Sequence, residues 1–212
     1  VRSVRAQTGD WMKERSIPGY YSAFIEFESG LPATIVHNGY GYFVGSELVP
    51  WGSDKHVYTA QQRGQIRRAM RAGTRDEASE KQSIRIGGSR EKEYFYDDDN
   101  APWIPEDMGF AIASLDRADL RQSQYGVFVH DDDGKRDVEV AGDRQTGMVQ
   151  RRAELEELYE SIVHGAPLWH DGRWGMATLE VCLAIMQSAR ERREIMLKHQ
   201  APVRSGYDAQ LK

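Results

Sequence analysis

Two clusters in this 212-residue chain have the residue types of a site. One is Trp169-His170-Asp171-Gly172-Arg173-Trp174. A histidine beside an aspartate in a loop can work as a general acid/base pair, so His170 is the candidate for proton transfer; the alternative is a surface residue. Arg173 stands just before a long apolar segment. If that segment is a helix, its first N–H groups and the guanidinium face the same space, where an anion is stabilised. Arg173, Trp174 and Asp171 are therefore candidates for substrate contact. The competing reading is a salt bridge from Arg173 to Asp171 or Glu180. The other cluster is Asn38-Gly39-Tyr40-Gly41-Tyr42-Phe43. Glycines between tyrosines allow close backbone approach or a bulge. Tyr40 and Tyr42, with Trp11, form either the aromatic rim of a ligand cleft or packing at a sheet edge. Arg121, in DRADLRQS, is a further candidate cation for a substrate, or a surface charge.

Several chemistries have no support in the sequence. It holds no GxGxxG after a strand, no P-loop, no GxSxG and no HExxH. No dinucleotide is expected to bind this chain by the strand–turn–helix device, and no cofactor-binding residue is assigned. The single cysteine, Cys182, allows neither an internal disulfide nor a Cys-based metal site, and is expected to be a small core residue. The runs at residues 97–99 and 131–133 are all aspartate. Neither has the spaced ligands and terminal Glu of a calcium loop, and the second suits a hairpin turn. No metal is expected.

Composition narrows the class. Charged residues are 29% and hydrophobic residues 40%, as in a globular chain with a sizeable core. A net charge of −5 argues against a nucleic-acid surface. The arginines of residues 59–72 lack interleaved aromatics and read as a solvated helix face. No apolar run approaches a membrane span and no secretory signal is visible, so no membrane partner is expected and the cytoplasm is the default location. The chain opens with Val1 inside an apparent strand, so it is expected to be a piece of a longer protein.

The positioning elements follow from periodicity. Residues 1–7, 20–27 and 33–40 alternate as strands, the last two as a hairpin around Glu28-Ser29-Gly30. Residues 59–72 form a helix. Residues 83–86 and 93–96 are short strand candidates within a variable insertion at about 55–105. Residues 108–115 form a strand, 116–123 a charged crossing, and 125–130 with 136–141 a second hairpin. In 147–163, Leu155, Leu158, Tyr159 and Ile162 make an amphipathic helix. The apolar segment 172–197 forms a helix expected to be buried on more than one side, with 195–197 returning as a short strand. Residues 201–212 form a tail. Strands with few crossover helices imply an α+β domain over 1–200, a mainly antiparallel open sheet with helices on one face.

The wording of GRWGMATLEVCLAIMQSARERREIMLKHQ resembles the closing segment of the Gfo/Idh/MocA oxidoreductases, through Ala177, Glu180, Val181, Ala184, Ile185, Ser188, Ala189 and Arg193. VRSVRAQTGDW, GYYSAFIEFESGLPATIVHNGYGYF and FAIASLDRADLRQSQYGVFVHDDDG resemble other parts of the C-terminal domain of that family, nearest its phthalate 4,5-cis-dihydrodiol dehydrogenase-like subgroup. The resemblance implies the dihydrodipicolinate-reductase-like C-terminal fold. It implies NAD or NADP bound by an N-terminal Rossmann domain absent from this chain. It also implies oxidation of a cis-dihydrodiol or related hydroxylated small molecule, with or without a carboxylate. Neither the family's Glu-Lys-Pro motif nor its Asp-x-x-x-His pair occurs here, so this fragment alone is expected to be inactive. It would supply the substrate side and pair with itself, as a dimer or tetramer, through the free face of the sheet, which carries Tyr20 and Phe24. The alternative is a stand-alone small-ligand-binding or protein-interaction domain without catalysis.

Overall fold

Alternating small and branched side chains lay down the sheet. A computed structural model of the chain describes residues 1–15, 19–40, 42, 48, 59–83, 87–90, 110–123, 126–139 and 149–202. Eight strands run as β1 (Ser3–Gly9), β2 (Tyr20–Glu26), β3 (Pro32–Asn38), β4 (Phe110–Ser114), β5 (Ala118–Gln122), β6 (Gly126–Asp131), β7 (Gly134–Glu139) and β8 (Ile195–Met196). They form one antiparallel sheet in the order β7-β6-β5-β4-β3-β2-β1-β8. Among the described residues four helices accompany it: α1 (Ala60–Arg71), α2 (Glu77–Ser83), α3 (Val149–His164) and α4 (Gly172–Glu191). The expected α+β architecture is the observed one.

The register sorts side chains between two faces, because successive residues point to opposite sides. Arg5, Phe24, Thr34, Ile112, Arg121, Phe128 and Asp137 are partnered in turn across seven strands and share one face. The other face carries Val4, Ala6, Ala23 and Ile25, which form the core with Ala184 of α4 and Ile195 of β8. Val181, Ile185, Ala33 and Ile35 pack around them. Alanines on both sides of this contact let helix and sheet approach closely, and each buried Val or Ile contributes about 1.5–3 kcal/mol.

One serine fastens that contact. Ser188 is fully buried. Its Oγ accepts the N–H of Ala6 at 2.8 Å and donates to the carbonyl of Arg193 at 2.6 Å. β8 reaches along β1 only as far as Ser3 and Val4, so at Ala6 the helix hydroxyl takes the place of a strand partner. Arg192 adopts the left-handed conformation at the end of α4 and turns the chain back into β8.

Some expectations are corrected. α4 is covered on one side only: Ala184 and Ser188 are its buried residues, Leu183 is 60% exposed, and Leu179 and Met186 also face outward. Cys182 is exposed, not buried. The apolar stripe of α3 is likewise uncovered, with Ile162 74% exposed, so among the described helices only α4 packs closely on the sheet. The charged crossing at 116–123 is strand β5; its Leu120 shares the covered face with Ala113 and Val129 while Asp119 and Arg121 point the other way. Ser83 ends helix α2, and residues 84–86 of the strand candidate there lie outside the described residues. The hairpin at the aspartate run is as expected: the Asp131 carboxylate accepts the N–H of Asp133 and pairs with Arg136. Trp51, the strand candidate at 93–96, the aspartates at 97–99, Met108, Gly109, Tyr125 and the tail at 203–212 lie outside the described residues. No helix among the described residues is long and apolar enough to cross a membrane.

Ser188→Ala should strand the Ala6 N–H and the Arg193 carbonyl in a buried place. We expect a loss of about 1–3 kcal/mol in urea unfolding; an unchanged midpoint would mean the hydroxyl is dispensable.

Candidate functional site

A capping box starts α1. The Thr59 hydroxyl accepts the N–H of Gln62 and the Gln62 side chain accepts the N–H of Thr59. With the helix phase fixed, Arg63, Ile66, Arg67 and Met70 fall at i, i+3, i+4 and i+7 on one face, the less exposed one. α2 begins after Asp76, whose carboxylate takes the N–H groups of Ala78 and Ser79. Glu77, Glu80 and Lys81 then share a face of α2. Between these two faces lies a cavity of about 360 Å³, closed on other sides by Met12, Arg15, Gly39, Tyr40, Arg75 and Arg90.

Tyr40 holds the floor in place. Its Oη donates to the carbonyl of Gly9 at 3.0 Å and accepts the N–H groups of Trp11 at 2.7 Å and Gly19 at 3.3 Å. All three capacities of the phenol are thereby used. Gly9 and Gly19 are needed for this approach. A Cβ on Gly9 would lie 2.5 Å from the Trp11 ring, and one on Gly19 2.7 Å from the Tyr40 ring. Trp11 stacks at 5.3 Å on both Tyr20 and Tyr40.

The charged part of the cavity wall is mostly cationic. Its described lining has six basic and two acidic side chains. Both acids are engaged with the wall. Arg15 grips Glu77 bidentately at 2.7 and 2.6 Å, Lys81 adds a contact at 2.9 Å, and Arg75 holds Glu80. Neighbouring groups respond to the positive field. Burial raises the Glu77 pKa, but hydrogen bonds and charge from Arg15 and Lys81 outweigh it and hold the carboxyl below its ordinary value. Burial, then the charges of Arg15 and Lys81, push His37 down. At the exposed rim, a hydrogen bond from Arg71 lowers Tyr42, whose ring lies 4.0 Å from the Arg67 guanidinium.

The structure brings together only part of the candidate set. Of the aromatic candidates only Tyr40 lines this cavity; Trp11 lies against the Tyr40 ring and Tyr42 against the Arg67 guanidinium, beside it. Tyr40 is a buried structural anchor rather than a rim residue, while Tyr42 and Trp11 are exposed. The other candidates lie elsewhere, none of them in the cavity lining. Arg121 lies over the Phe128 ring at 4.5 Å on the open face of the sheet. His170 does not pair with Asp171: its Nδ1 is 2.6 Å from the Glu157 carboxylate, which also takes the N–H groups of Trp169 and His170. This Glu157 clamp ties α3 to the loop before α4. Asp171 is the helix cap, and its Oδ1 accepts the N–H groups of Arg173 at 2.9 Å and Trp174 at 3.0 Å. That corrects the reasoning for an anion at Arg173, because the helix donors are already taken by a carboxylate. Glu180, the other suggested partner of Arg173, caps the N–H groups of Lys198 and His199 instead. Arg63 and Arg67 were read as a solvated face. The signal that distinguishes them is their sharing of one helix face with Ile66 and Met70.

The pKa directions fix the acid behaviour. His37 and Glu77 both titrate lower in the folded chain than their ordinary values of 6.5 and 4.5. The unfolded chain therefore takes up protons first on acidification. Stability should fall as pH drops below about 6.5 through the folded value of His37, and fall again below about 4.5 through that of Glu77. Urea midpoints measured against pH should show this, and His37→Gln should flatten the first fall; a variant with the same slope as the parent would contradict the assignment.

Comparison with known proteins places this geometry in context. No family model matches the chain. A 1-carboxy-3-chloro-3,4-dihydroxycyclohexa-1,5-diene dehydrogenase of Comamonas testosteroni is 22% identical over 201 residues, covering 90% of this chain and 47% of the relative. A protein of Bordetella bronchiseptica RB50 described as a dehydrogenase has a solved structure with a TM-score of 0.66 and 27% identity, covering 93% of this chain and 49% of the other. An oxidoreductase of Agrobacterium radiobacter, solved with NAD+, L-tartaric acid and magnesium, shares the fold at a TM-score of 0.51 and 10% identity over 92% of this chain and 43% of its own. The chain spans about half the length of the relatives it matches. By sequence and fold it resembles the C-terminal part of dehydrogenases of the Gfo/Idh/MocA type, as its closing segment indicates.

Proposed function

We propose that this chain is the substrate-binding and self-associating part of a longer NAD(P)-dependent dehydrogenase that oxidises a hydroxylated, carboxylated ring such as a cis-dihydrodiol. The observation that carries this reading is likeness along nearly the whole chain to about half of each of two dehydrogenases. The Comamonas relative is named for a carboxylated ring diol, and NAD+ is present with one oxidoreductase of like fold. A cytoplasmic location accords with the single thiol.

The described strands are all antiparallel, so they offer no strand–glycine-rich turn–helix unit to cradle a pyrophosphate. In this reading the cofactor site and the proton relay belong to the part of the protein outside this chain. What this chain contributes is a positive cavity and an open sheet face. That face carries Phe24, Ile112 and Met196, all exposed, across β2, β4 and β8. A two-fold pairing of two such faces would cover them.

The deciding assay uses the longer protein with its upstream sequence. Carboxylated cis-dihydrodiols should reduce NAD+ or NADP+, followed by the absorbance of the reduced nicotinamide; no turnover with either cofactor would sink the reading. The isolated chain should show no micromolar affinity for NAD(H) or NADP(H) by calorimetry. In sedimentation at micromolar concentration it should form at least a dimer, and Phe24→Glu should give monomer. A monomeric parent chain would contradict pairing through this face.

A further inference from the structure

We propose that Tyr21 and His37, side by side on the helix-covered face of the sheet, form a binding site for the paired hydroxyl groups of a small ring diol. In the role of substrate site this rests on the dehydrogenase reading; as a binding site it rests on the two side chains alone. The register sets them apart from their neighbours. Across β1, β2 and β3 this face repeats in rows: Val4–Ile25–Ala33, then Ala6–Ala23–Ile35, then Thr8–Tyr21–His37. The first two rows are apolar and pack with α4. The third is polar throughout. Tyr21 and His37 are half-buried, and their rings stack at 5.5 Å with an interplanar angle of 26°.

Stacking fixes the two rings but does not engage their polar atoms. Among the described residues neither the Tyr21 hydroxyl nor a His37 ring nitrogen has a hydrogen-bond partner, in contrast to Tyr40, whose hydroxyl makes three hydrogen bonds. Space beside His37 depends on a glycine: a Cβ on Gly39 would stand 3.3 Å from its Nε2 and 3.5 Å from the Arg15 guanidinium. Burial, then the charge of Cys182 on α4, raises Tyr21, while burial and the charges of Arg15 and Lys81 lower His37. Both side chains are therefore neutral at pH 7, and each offers one donor and at least one acceptor. A hydroxyl group also donates and accepts, so two adjacent hydroxyls match the pair. A carboxylate, which only accepts, would leave the acceptors of the pair unused. In an otherwise apolar face, polar atoms held half out of water gain from a ligand that supplies their partners.

The test is an NMR titration of the chain with cis-cyclohexane-1,2-diol, with cyclohexanol as the ring bearing one hydroxyl and benzoate as the ring bearing an anion. The readouts are the His37 imidazole and Tyr21 ring resonances. The diol should shift both saturably, and cyclohexanol should bind about fivefold more weakly or worse. Tyr21→Phe keeps the stacked ring and removes only the hydroxyl; it should weaken the diol by about fivefold or more, as should His37→Gln. Tyr159→Phe, on α3, should change nothing. No saturable shift, equal binding of diol and cyclohexanol, or unchanged affinity in Tyr21→Phe would overturn the proposal. So would benzoate binding as tightly as the diol, which would make this an anion site beside Arg15 and Lys81. A lower melting temperature in either variant with unaltered affinity would make the pair structural and also count against it. Tyr21-dependent diol binding in a longer protein that turns over no hydroxylated ring would support this site and overturn the dehydrogenase reading, so the two fail separately.

Discussion

The contact between α4 and β1 governs the arrangement of this chain. Alanines at 6, 23 and 184 remove the bulk that would hold helix and sheet apart, and Val4, Ile25 and Ile195 fill the space beside them. The Ser188 hydroxyl supplies at Ala6 the acceptor that the short β8 does not reach. An unpaired N–H there would cost about as much as a lost core side chain regains, so packing and hydrogen bonding must be met by the same residue. β1 is held in this way, and the turn that follows it inherits a fixed position. That turn carries Met12 to the cavity and Trp11 onto the Tyr40 ring, and Tyr40, coming from the end of β3, bolts it down through three hydrogen bonds.

Charge shapes the other end of the molecule. Bringing basic side chains around one small space is unfavourable: a pair of like charges 4 Å apart repels by about 4 kcal/mol at an effective dielectric of about 20. Glu77 and Glu80 offset part of this, and cation–π contact of Arg67 with the Tyr42 ring offsets a little more. The described lining still has more positive than negative groups, in a chain whose overall charge is −5. The exposed stripes of α3 and α4 are a different matter. Leu155 and Ile162 on α3 and Leu179, Leu183 and Met186 on α4 are exposed apolar side chains on helices that the sheet leaves uncovered on that side.

Most of the sheet was legible because its alternation is local. β1, β2 and β3, the hairpin at the aspartate run, the helix at 59–72 and the return of the chain as β8 all follow from patterns within ten residues or so. β5 was not legible. Asp119 and Arg121 mask a strand whose one strong apolar residue, Leu120, finds its neighbours only across the sheet. The outward half of α4 misled in the opposite way. Cys182, Leu183 and Met186 read as core because hydrophobicity tells that a surface wants cover, not which molecule covers it. At the site, the sequence found the aromatic residues Trp11, Tyr40 and Tyr42 but not the arginines, because α1 and the turn after β1 are joined only by tertiary packing. It also assigned an anion to Arg173, where the N-cap carboxylate of Asp171 already occupies the donors.

The claim that the Ser188 hydroxyl fastens α4 to β1 is open to a direct measurement. Native-state hydrogen exchange read by NMR reports the Ala6 amide on its own. The account predicts that the Ala6 N–H, held by the Ser188 Oγ at 2.8 Å, exchanges among the slowest in the chain, and that Ser188→Ala speeds it by about tenfold or more. An Ala6 amide that exchanges as fast as the amides of exposed β7, or that is unmoved by Ser188→Ala, would contradict it.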